Sequence, residues 1–365
     1  MALTKVSTNV VDMSGNTGGL VIAKGTTAQQ LTCNPPTTNN LGSIRENTDS
    51  GVNKVEVCTS TGWQFLEEAG TVLPDLIIDY LVVAGGGGGG SYLGGGGGAG
   101  GFREGSFTPS GITQFTITVG SGGVGGGTGS SPSAAGKGIN SSISATGMTS
   151  ITATGGGFGG NYSAGAGGTG GSGGGPAVKE GTGGATAASL GNEGNYSPAE
   201  GFNSGAGNYR SPSNPYGPAA SGGGASEAGG DGLTNNATPI PGVTKGGDGK
   251  TSNITGSNVI YAGGGGGNNY SGTVEVPGGQ GGGGNGSAGI TTAGYNGTDG
   301  LGGGGGGGGG TSVVGGSGGD GVVILKYPAA YSTTKTGLTS SVDSTAVPGF
   351  EIETITSGTG TITFA

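Results

Sequence analysis

The glycine runs and the apolar segments that frame them decide the fold of this chain. The central region opens with an apolar run, Leu76-Ile77-Ile78-Asp79-Tyr80-Leu81-Val82-Val83-Ala84, that continues directly into six glycines at 85–90. It closes with a second apolar run, Gly321-Val322-Val323-Ile324-Leu325-Lys326-Tyr327-Pro328. Between them lie further uninterrupted glycine runs at 94–98, 263–267, 281–284 and 302–310. Phe115-Thr116-Ile117-Thr118-Val119 alternates apolar and polar residues, which predicts one more strand.

The composition excludes a conventional hydrophobic core for most of the chain. Of 365 residues, 101 are glycine, whereas apolar residues make up 30% and charged residues only 9%. Burial of apolar side chains is the main driving force of folding, and here there is too little apolar material for this length. The charged fraction is also too low for a disordered polyelectrolyte. Something other than side-chain burial must therefore order the central region.

Three interpretations of the glycine runs compete. Gly-rich sequence is usually a flexible linker, but linkers do not usually begin and end with strongly apolar strands. Collagen requires glycine at every third residue and abundant proline, whereas these glycines are consecutive and prolines number 15. The third interpretation is a bundle of extended threefold helices that bond to one another through their backbones.

We favour the third interpretation because glycine lacks a Cβ. A polyglycine II helix has no internal hydrogen bonds, so its amides and carbonyls need partners on neighbouring helices. Only glycine lets such helices approach closely enough. At about 3.1 Å per residue, the nine-glycine run would extend roughly 28 Å. We therefore expect an all-β or irregular fold, in which β-strands clamp a bundle of polyglycine II helices and α-helix is almost absent.

The composition divides the chain into four regions: 1–30, 31–70, 71–328 and 329–365. The first is polar and is interpreted as an attachment segment. The second contains strand-like stretches at 41–47, 54–58 and 63–66, which predict a small three-stranded meander that oligomerises. Cys33 and Cys58 fall in it, and the sequence leaves open whether they pair. The third region is the polyglycine bundle.

The fourth region, 329–365, ends in two alternating runs, 349–356 and 361–364, around Ser357-Gly358-Thr359-Gly360. This pattern predicts a C-terminal β-hairpin with its turn at 357–360.

Charge and residue types argue against several functions. The net charge is −9 without a basic cluster, so nucleic-acid binding is not expected. Histidine is absent and the carboxylates are scattered, so we expect no enzyme, no cofactor and no metal site. Short motif matches at 165–170, 249–251 and 315–320 lack the context that dinucleotide, phosphate or calcium sites need, and we treat them as chance. No signal peptide or membrane-inserting segment is expected.

Tyrosines beside asparagines are the most informative side chains for recognition. The candidate binding residues are Tyr162, Tyr196, Tyr209, Arg210, Tyr216 and Tyr270. Tyrosine offers a rigid, amphipathic contact surface that suits recognition loops. The alternative is that these rings shield the bundle edges from water. For the group from Tyr196 to Tyr216 we favour recognition.

Several segments resemble phage tail-fibre adhesins. Tyr80-Leu81-Val82-Val83-Ala84 with its six glycines, followed by Ala99-Gly100-Gly101-Phe102-Arg103, resembles the opening of their glycine-rich domain. Val259-Ile260-Tyr261-Ala262 before five glycines resembles a later segment, and residues 315–328 resemble the closing motif. Residues 1–6 and 41–63 are similar to parts of other phage tail proteins, although Glu46 stands where an aromatic residue is common.

The resemblance implies a sandwich of polyglycine helices whose loops bind a host surface receptor, either a protein or a polysaccharide. It also implies a virion protein made in the bacterial cytoplasm, a homotrimer attached to other tail or fibre proteins through residues 1–70. The alternative is a purely architectural virion part, such as a capsid decoration or a fibre shaft. An ice-binding bundle would need a regular Ala/Thr face and several disulfides, and an extracellular bacterial adhesin would need a signal peptide.

Overall fold

The computed structural model describes residues 74–129, 133–180, 185–210, 217–233 and 244–365, together with the backbone of four short strands nearer the N-terminus. The chain divides into two compact units, Met1–Leu73 and Pro74–Ala365. No α-helix occurs in the described residues. Accordingly, none of these residues forms a helix that could cross a membrane.

The first unit contains the predicted meander. Its strands are β1 (Lys24–Gly25), β2 (Ile44–Asn47), β3 (Lys54–Thr59) and β4 (Gly62–Phe65), in the sheet order β1-β2-β3-β4. The pairings of β2 with β3 and of β3 with β4 are antiparallel and confirm the three expected strands. The additional strand β1 pairs in parallel with β2. Cys58 lies in β3, and Cys33 lies outside the described residues.

The second unit contains the remaining strands. They are β5 (Ile78–Val83), β6 (Phe102–Phe107), β7 (Gln114–Thr118), β8 (Ser141–Ser144), β9 (Ile151–Ala153), β10 (Lys179–Glu180), β11 (Tyr209–Arg210), β12 (Lys250–Ser252), β13 (Val259–Tyr261), β14 (Val322–Pro328), β15 (Thr333–Asp343) and β16 (Phe350–Phe364). Eight of them form one sheet in the order β6-β5-β14-β16-β7-β8-β9, with β15 paired to β16. The apolar runs that frame the glycine-rich region are therefore neighbouring strands, because β5 pairs antiparallel with β14.

The sheet curls until its two edges approach each other. Arg103 in β6 donates a hydrogen bond from Nη1 to the carbonyl of Thr152 in β9, at 3.3 Å. Next to it, the amide of Gly101 donates to the carbonyl of Thr154, at 2.8 Å. The sheet thus nearly closes into a barrel, which holds the strands that enter and leave the glycine runs.

The C-terminal hairpin is confirmed, but its turn is not at 357–360. Residues 344–349 make the turn between β15 and β16, and β16 continues through Ser357 to Gly360 as one strand. Gly358, at φ 108°, lies where the pairing of β15 with β16 shifts register. One edge of β16 pairs first with β14 and then with β7, so a turn at 357–360 would break the sheet.

The interior of the curled sheet is an apolar core. Phe115, Tyr327 and Phe364 are buried there, with the ring of Phe364 5.9 Å from that of Phe115 and 5.0 Å from that of Tyr327. The opposite face of β5 and β14 carries a second cluster, in which Leu81 and Ile324 pack against Tyr261 of β13. The apolar residues are therefore concentrated around the strands, at one end of the glycine runs.

The glycine runs form polyglycine II helices, as predicted. Successive amides at 85–90 donate hydrogen bonds to three different neighbouring segments, and amides three residues apart donate to the same segment. For example, Gly87 donates to the carbonyl of Gly98 and Gly90 to that of Gly95, both at 2.9 Å. The other donor pairs are Gly85–Ile139, Gly88–Gly136, Gly86–Gly319 and Gly89–Gly316. A repeat of three residues is the symmetry of this helix.

The carbonyls of the same run accept from three further segments. Gly85 and Gly88 accept from Gly156 and Gly159, Gly86 and Gly89 from Gly123 and Gly126, and Gly87 and Gly90 from Gly305 and Gly308. Segment 85–90 is thus surrounded by six neighbours, and segment 94–100 follows the same scheme with neighbours that include 157–160 and 302–305. The central region is ordered by backbone hydrogen bonds rather than by an apolar core.

Candidate functional site

The polyglycine bundle has two different ends. At the strand end, segments join β5, β6, β8, β9 and β14. The opposite end, here called the loop end, consists of turns at 91–93, 161–164, 268–273, 288–292 and 310–313. These turns contact one another through the backbone: Tyr162 donates to the carbonyl of Tyr92 at 3.1 Å, and Leu93 to that of Gly309 at 2.8 Å.

The turn at 91–93 is made by residues that disfavour its geometry. Tyr92 and Leu93 have φ of 50° and 61°, in the left-handed region that asparagine and glycine normally occupy. For other residues this conformation costs about 1–2 kcal/mol each. Leu93 is fully buried against Val178 and Ala219, and this burial offsets its strain. Tyr92 is only partly buried.

A small aromatic cluster covers the loop end. The rings of Tyr92 and Tyr162 lie 4.6 Å apart between centroids and are tilted by 39°. Tyr270 packs against the same core of Leu93, Val178 and Ala219. Two of the six predicted binding residues, Tyr162 and Tyr270, therefore meet at this end of the bundle.

A groove of about 550 Å³ opens beside this cluster. Its walls are formed by Tyr92, Tyr270, Ile290, Thr291, Gly310, Thr311, Ser312 and Val313, which come from four turns. Ile290 is 50% exposed, which is high for a large apolar side chain. None of these wall residues is charged. The described walls of the groove thus present aromatic rings, apolar carbons and hydroxyls.

Tyr196 lies at the strand end of the bundle. The guanidinium carbon of Arg103, in β6, lies 4.0 Å from the centroid of the Tyr196 ring. The backbone amide of Tyr196 donates a hydrogen bond to Oδ1 of Asn192, at 3.1 Å. Segment 201–208 runs from there towards the loop end, a path of roughly 25 Å at about 3.1 Å per residue. Tyr196 therefore does not share a loop group with Tyr209.

Tyr209 and Arg210 form β11, which pairs in parallel with Lys179 and Glu180 of β10. Strand β10 directly follows Val178, a member of the small core of the loop end, so the backbone of β11 lies beside that core. The side chains of Tyr209 and Arg210, and Tyr216 as a whole, lie outside the described part of the structure.

Sequence analysis missed Tyr92, Ile290 and the segment 311–313. A signal for Tyr92 was present, because Ser91-Tyr92-Leu93 separates two glycine runs and must therefore reverse the chain. Ile290 offered no such signal, since an isolated apolar residue in a polar segment is common on protein surfaces. Within the described residues, no three His, Cys, Asp or Glu side chains are grouped so that they could hold a metal ion.

The fold and the loop end together define an all-β protein in which a polyglycine bundle carries a turn-built surface. A family model for the glycine-rich domain matches residues 67–328. The match spans most of the chain, and the chain belongs to this glycine-rich domain family. No curated protein and no solved structure matches the chain.

Proposed function

We propose that this protein is a phage tail-fibre adhesin that recognises a host-cell surface receptor through the groove at the loop end. The observation that carries the proposal is the convergence of four turns, with Tyr92 and Tyr270, on one uncharged groove at the tip of a rigid bundle. Recognition surfaces are commonly loops held by a rigid framework, and tyrosine is enriched in them. The resemblance of residues 80–103 and 315–328 to phage adhesins supports the same assignment.

The rest of the chain supplies attachment in this proposal. Residues 1–70 join the protein to other tail or fibre proteins, and three copies form the fibre. The protein is made in the cytoplasm of the infected bacterium and acts on the virion. The competing assignment is a purely architectural part of the virion, for which the loop end would have no receptor.

Infection blocking tests the proposal. The purified chain, added to susceptible bacteria before the phage that carries it, should reduce adsorption, because it occupies the receptor. The double variant Tyr92→Ala/Tyr270→Ala should lose this effect, whereas Tyr196→Ala, at the strand end, should retain it. If the wild-type protein does not reduce adsorption, the adhesin assignment is wrong and the architectural one is favoured. If Tyr196→Ala alone abolishes blocking, the receptor-binding site lies at the strand end and the assignment to the loop end is wrong.

A further inference from the structure

We propose that the groove at the loop end binds an uncharged saccharide chain, with sugar rings stacked on Tyr92 and Tyr270. This inference rests on the proposed adhesin function and specifies its ligand. The groove, at about 550 Å³, is within the range of volumes that enclose small ligands. Its walls, which come from separate turns, offer both aromatic surfaces for stacking and hydroxyl groups for hydrogen bonds.

The wall residues that the structure describes carry no charge, and this composition favours one class of ligand. The eight residues that line the groove are tyrosine, isoleucine, valine, threonine, serine and glycine. A charged group moved from water into this groove would lose part of its solvation without gaining an ionic partner from the described wall residues. Anionic sugars and charged peptide segments are therefore disfavoured, whereas a neutral sugar loses only hydrogen bonds that the walls can replace.

The walls offer what a neutral sugar requires. A saccharide ring has C–H faces, which pack on an aromatic ring, and hydroxyls at its edge, which both donate and accept hydrogen bonds. Tyr92 and Tyr270 supply the rings, and the hydroxyls of Thr291, Thr311 and Ser312 both donate and accept. Gly310, which has no side chain, lines the groove next to Thr311 and Ser312.

The strained conformation of Tyr92 is the second, independent observation. Asparagine or glycine at this position would form the same turn without strain. Burial explains why Leu93 is retained, but Tyr92 remains partly exposed and lines the groove. Non-glycine residues in the left-handed region cluster at functional sites, where the surrounding structure holds them in place. We infer that the strain at Tyr92 serves to present its ring to the ligand.

A glycan microarray with neutral and anionic bacterial oligosaccharides tests the ligand class directly. The purified full chain should bind neutral members and not their uronic-acid, sialylated or phosphorylated counterparts. Tyr92→Ala should weaken binding about tenfold, and Tyr92→Phe should retain it, because the stacking face survives. Tyr295→Ala is the matched control, since Tyr295 is exposed but lies outside the groove. Preference for anionic glycans, or binding that Tyr92→Ala leaves unchanged, would overturn the inference.

Tyr92→Asn separates a structural role of this tyrosine from a binding role. Asparagine relaxes the turn, which offsets the loss of the ring contact between Tyr92 and Tyr162. The variant should therefore melt close to the wild-type temperature, while it loses saccharide binding. If it unfolds at a lower temperature and keeps its binding, Tyr92 is a structural residue and the inference fails.

Labelled bacteria distinguish failure of this inference from failure of the proposed function. Fluorescent full-length protein is applied to susceptible cells after periodate, which cleaves vicinal diols of sugars, or after proteinase K. Labelling should disappear after periodate and persist after the protease. Labelling that survives periodate but not the protease leaves the adhesin function intact and overturns the saccharide ligand. Absence of labelling on untreated susceptible cells overturns both.

Discussion

A Cβ atom added to Gly87 would lie 2.1 Å from the carbonyl oxygen of Gly157. Real Cβ atoms do not come so close to backbone atoms. Position 87 therefore cannot accommodate any residue other than glycine without a shift of the neighbouring backbone. Gly157 belongs to one of the six segments around 85–90, and other glycines of that run meet the backbone of further neighbours just as closely. Stability in this region thus depends on the absence of side chains, whereas an ordinary protein core is stabilised by the packing of side chains.

Gly87→Ala should therefore destabilise the protein severely. The methyl group would force two hydrogen-bonded backbones apart, and we expect a loss of more than about 3 kcal/mol in the free energy of unfolding. Urea denaturation followed by tyrosine fluorescence would measure it. The matched control is Gly111→Ala, where φ is +70° and no atom lies within 4 Å of the added Cβ. That change should cost only about 1 kcal/mol; equal effects of the two substitutions would contradict this packing.

Amide exchange should show that the glycine runs are rigid. The amides at 85–90 all donate to neighbouring segments deep in the bundle, so they should exchange only through global unfolding. Hydrogen–deuterium exchange with mass spectrometry measures this, with the exposed turn residues Ser257 and Asn258 as a rapidly exchanging reference. Exchange at 85–90 as fast as in that turn would refute the ordered bundle.

The ion pair of Lys335 and Glu353 should contribute to stability because one partner is fully buried. Lys335 Nζ lies 2.9 Å from Glu353 Oε2, and Glu353 has no exposed surface. Lys335→Ala leaves a buried carboxylate without its cation, and we expect a loss of about 3 kcal/mol in the free energy of unfolding.

The control for this prediction is Lys137→Ala. Lys137 also pairs with a glutamate, Glu193, but the two side chains are 36% and 42% exposed. Such pairs contribute at most about 1 kcal/mol. Chemical denaturation of both variants compares them under the same conditions. If Lys137→Ala is as damaging as Lys335→Ala, burial is not the reason for the effect.

Asp343 should make stability depend on acid pH. The backbone amide of Thr345, its hydroxyl and the amide of Ala346 donate to Asp343 Oδ1, at 2.7, 2.8 and 3.1 Å, and they lower the pKa of this carboxyl group. A carboxyl group with a lowered folded pKa stabilises the protein above its unfolded pKa of about 3.9. That contribution is lost as the pH falls through the folded value.

Asp343→Asn removes the titration and keeps a side-chain oxygen in the turn. The wild type should therefore melt at a higher temperature than this variant near neutral pH, and the difference should vanish as the pH falls to about 2. Thermal unfolding followed by circular dichroism across this range provides the measurement. A difference in melting temperature that stays constant with pH would show that the charge of Asp343 has no part in it.

The local sequence pattern predicted the secondary structure correctly where apolar strands border glycine runs. Residues 76–84 and 321–328 could be predicted as strands because they combine apolar β-branched residues with abrupt glycine boundaries. The bundle itself followed from the same runs, since consecutive glycines exclude every alternative that needs side chains. The strand stretches at 41–47, 54–58 and 63–66 likewise reappear as β2, β3 and β4.

Local pattern failed where a residue's role depends on distant partners. Gly358 and Gly360 have the composition of a hairpin turn, yet β16 passes through them because β14, β7 and β15 all pair with that strand. Tyr196 and Tyr209 are close in sequence, yet the extended segment 201–208 separates them. An extended segment advances about 3.1 Å per residue, roughly twice the rise of an α-helix, so residues that are close in sequence can lie far apart in space.

The sequence by itself determined that this protein is built from glycine backbones framed by strands, because no other residue allows chains to approach so closely. Only the tertiary structure decided which segments became neighbours, and hence which turns meet at the loop end. Polyglycine helices carry no side chains to specify their partners. The strands that clamp them, and the few side chains in the turns between them, therefore set the order of the bundle and place Tyr92 beside Tyr270.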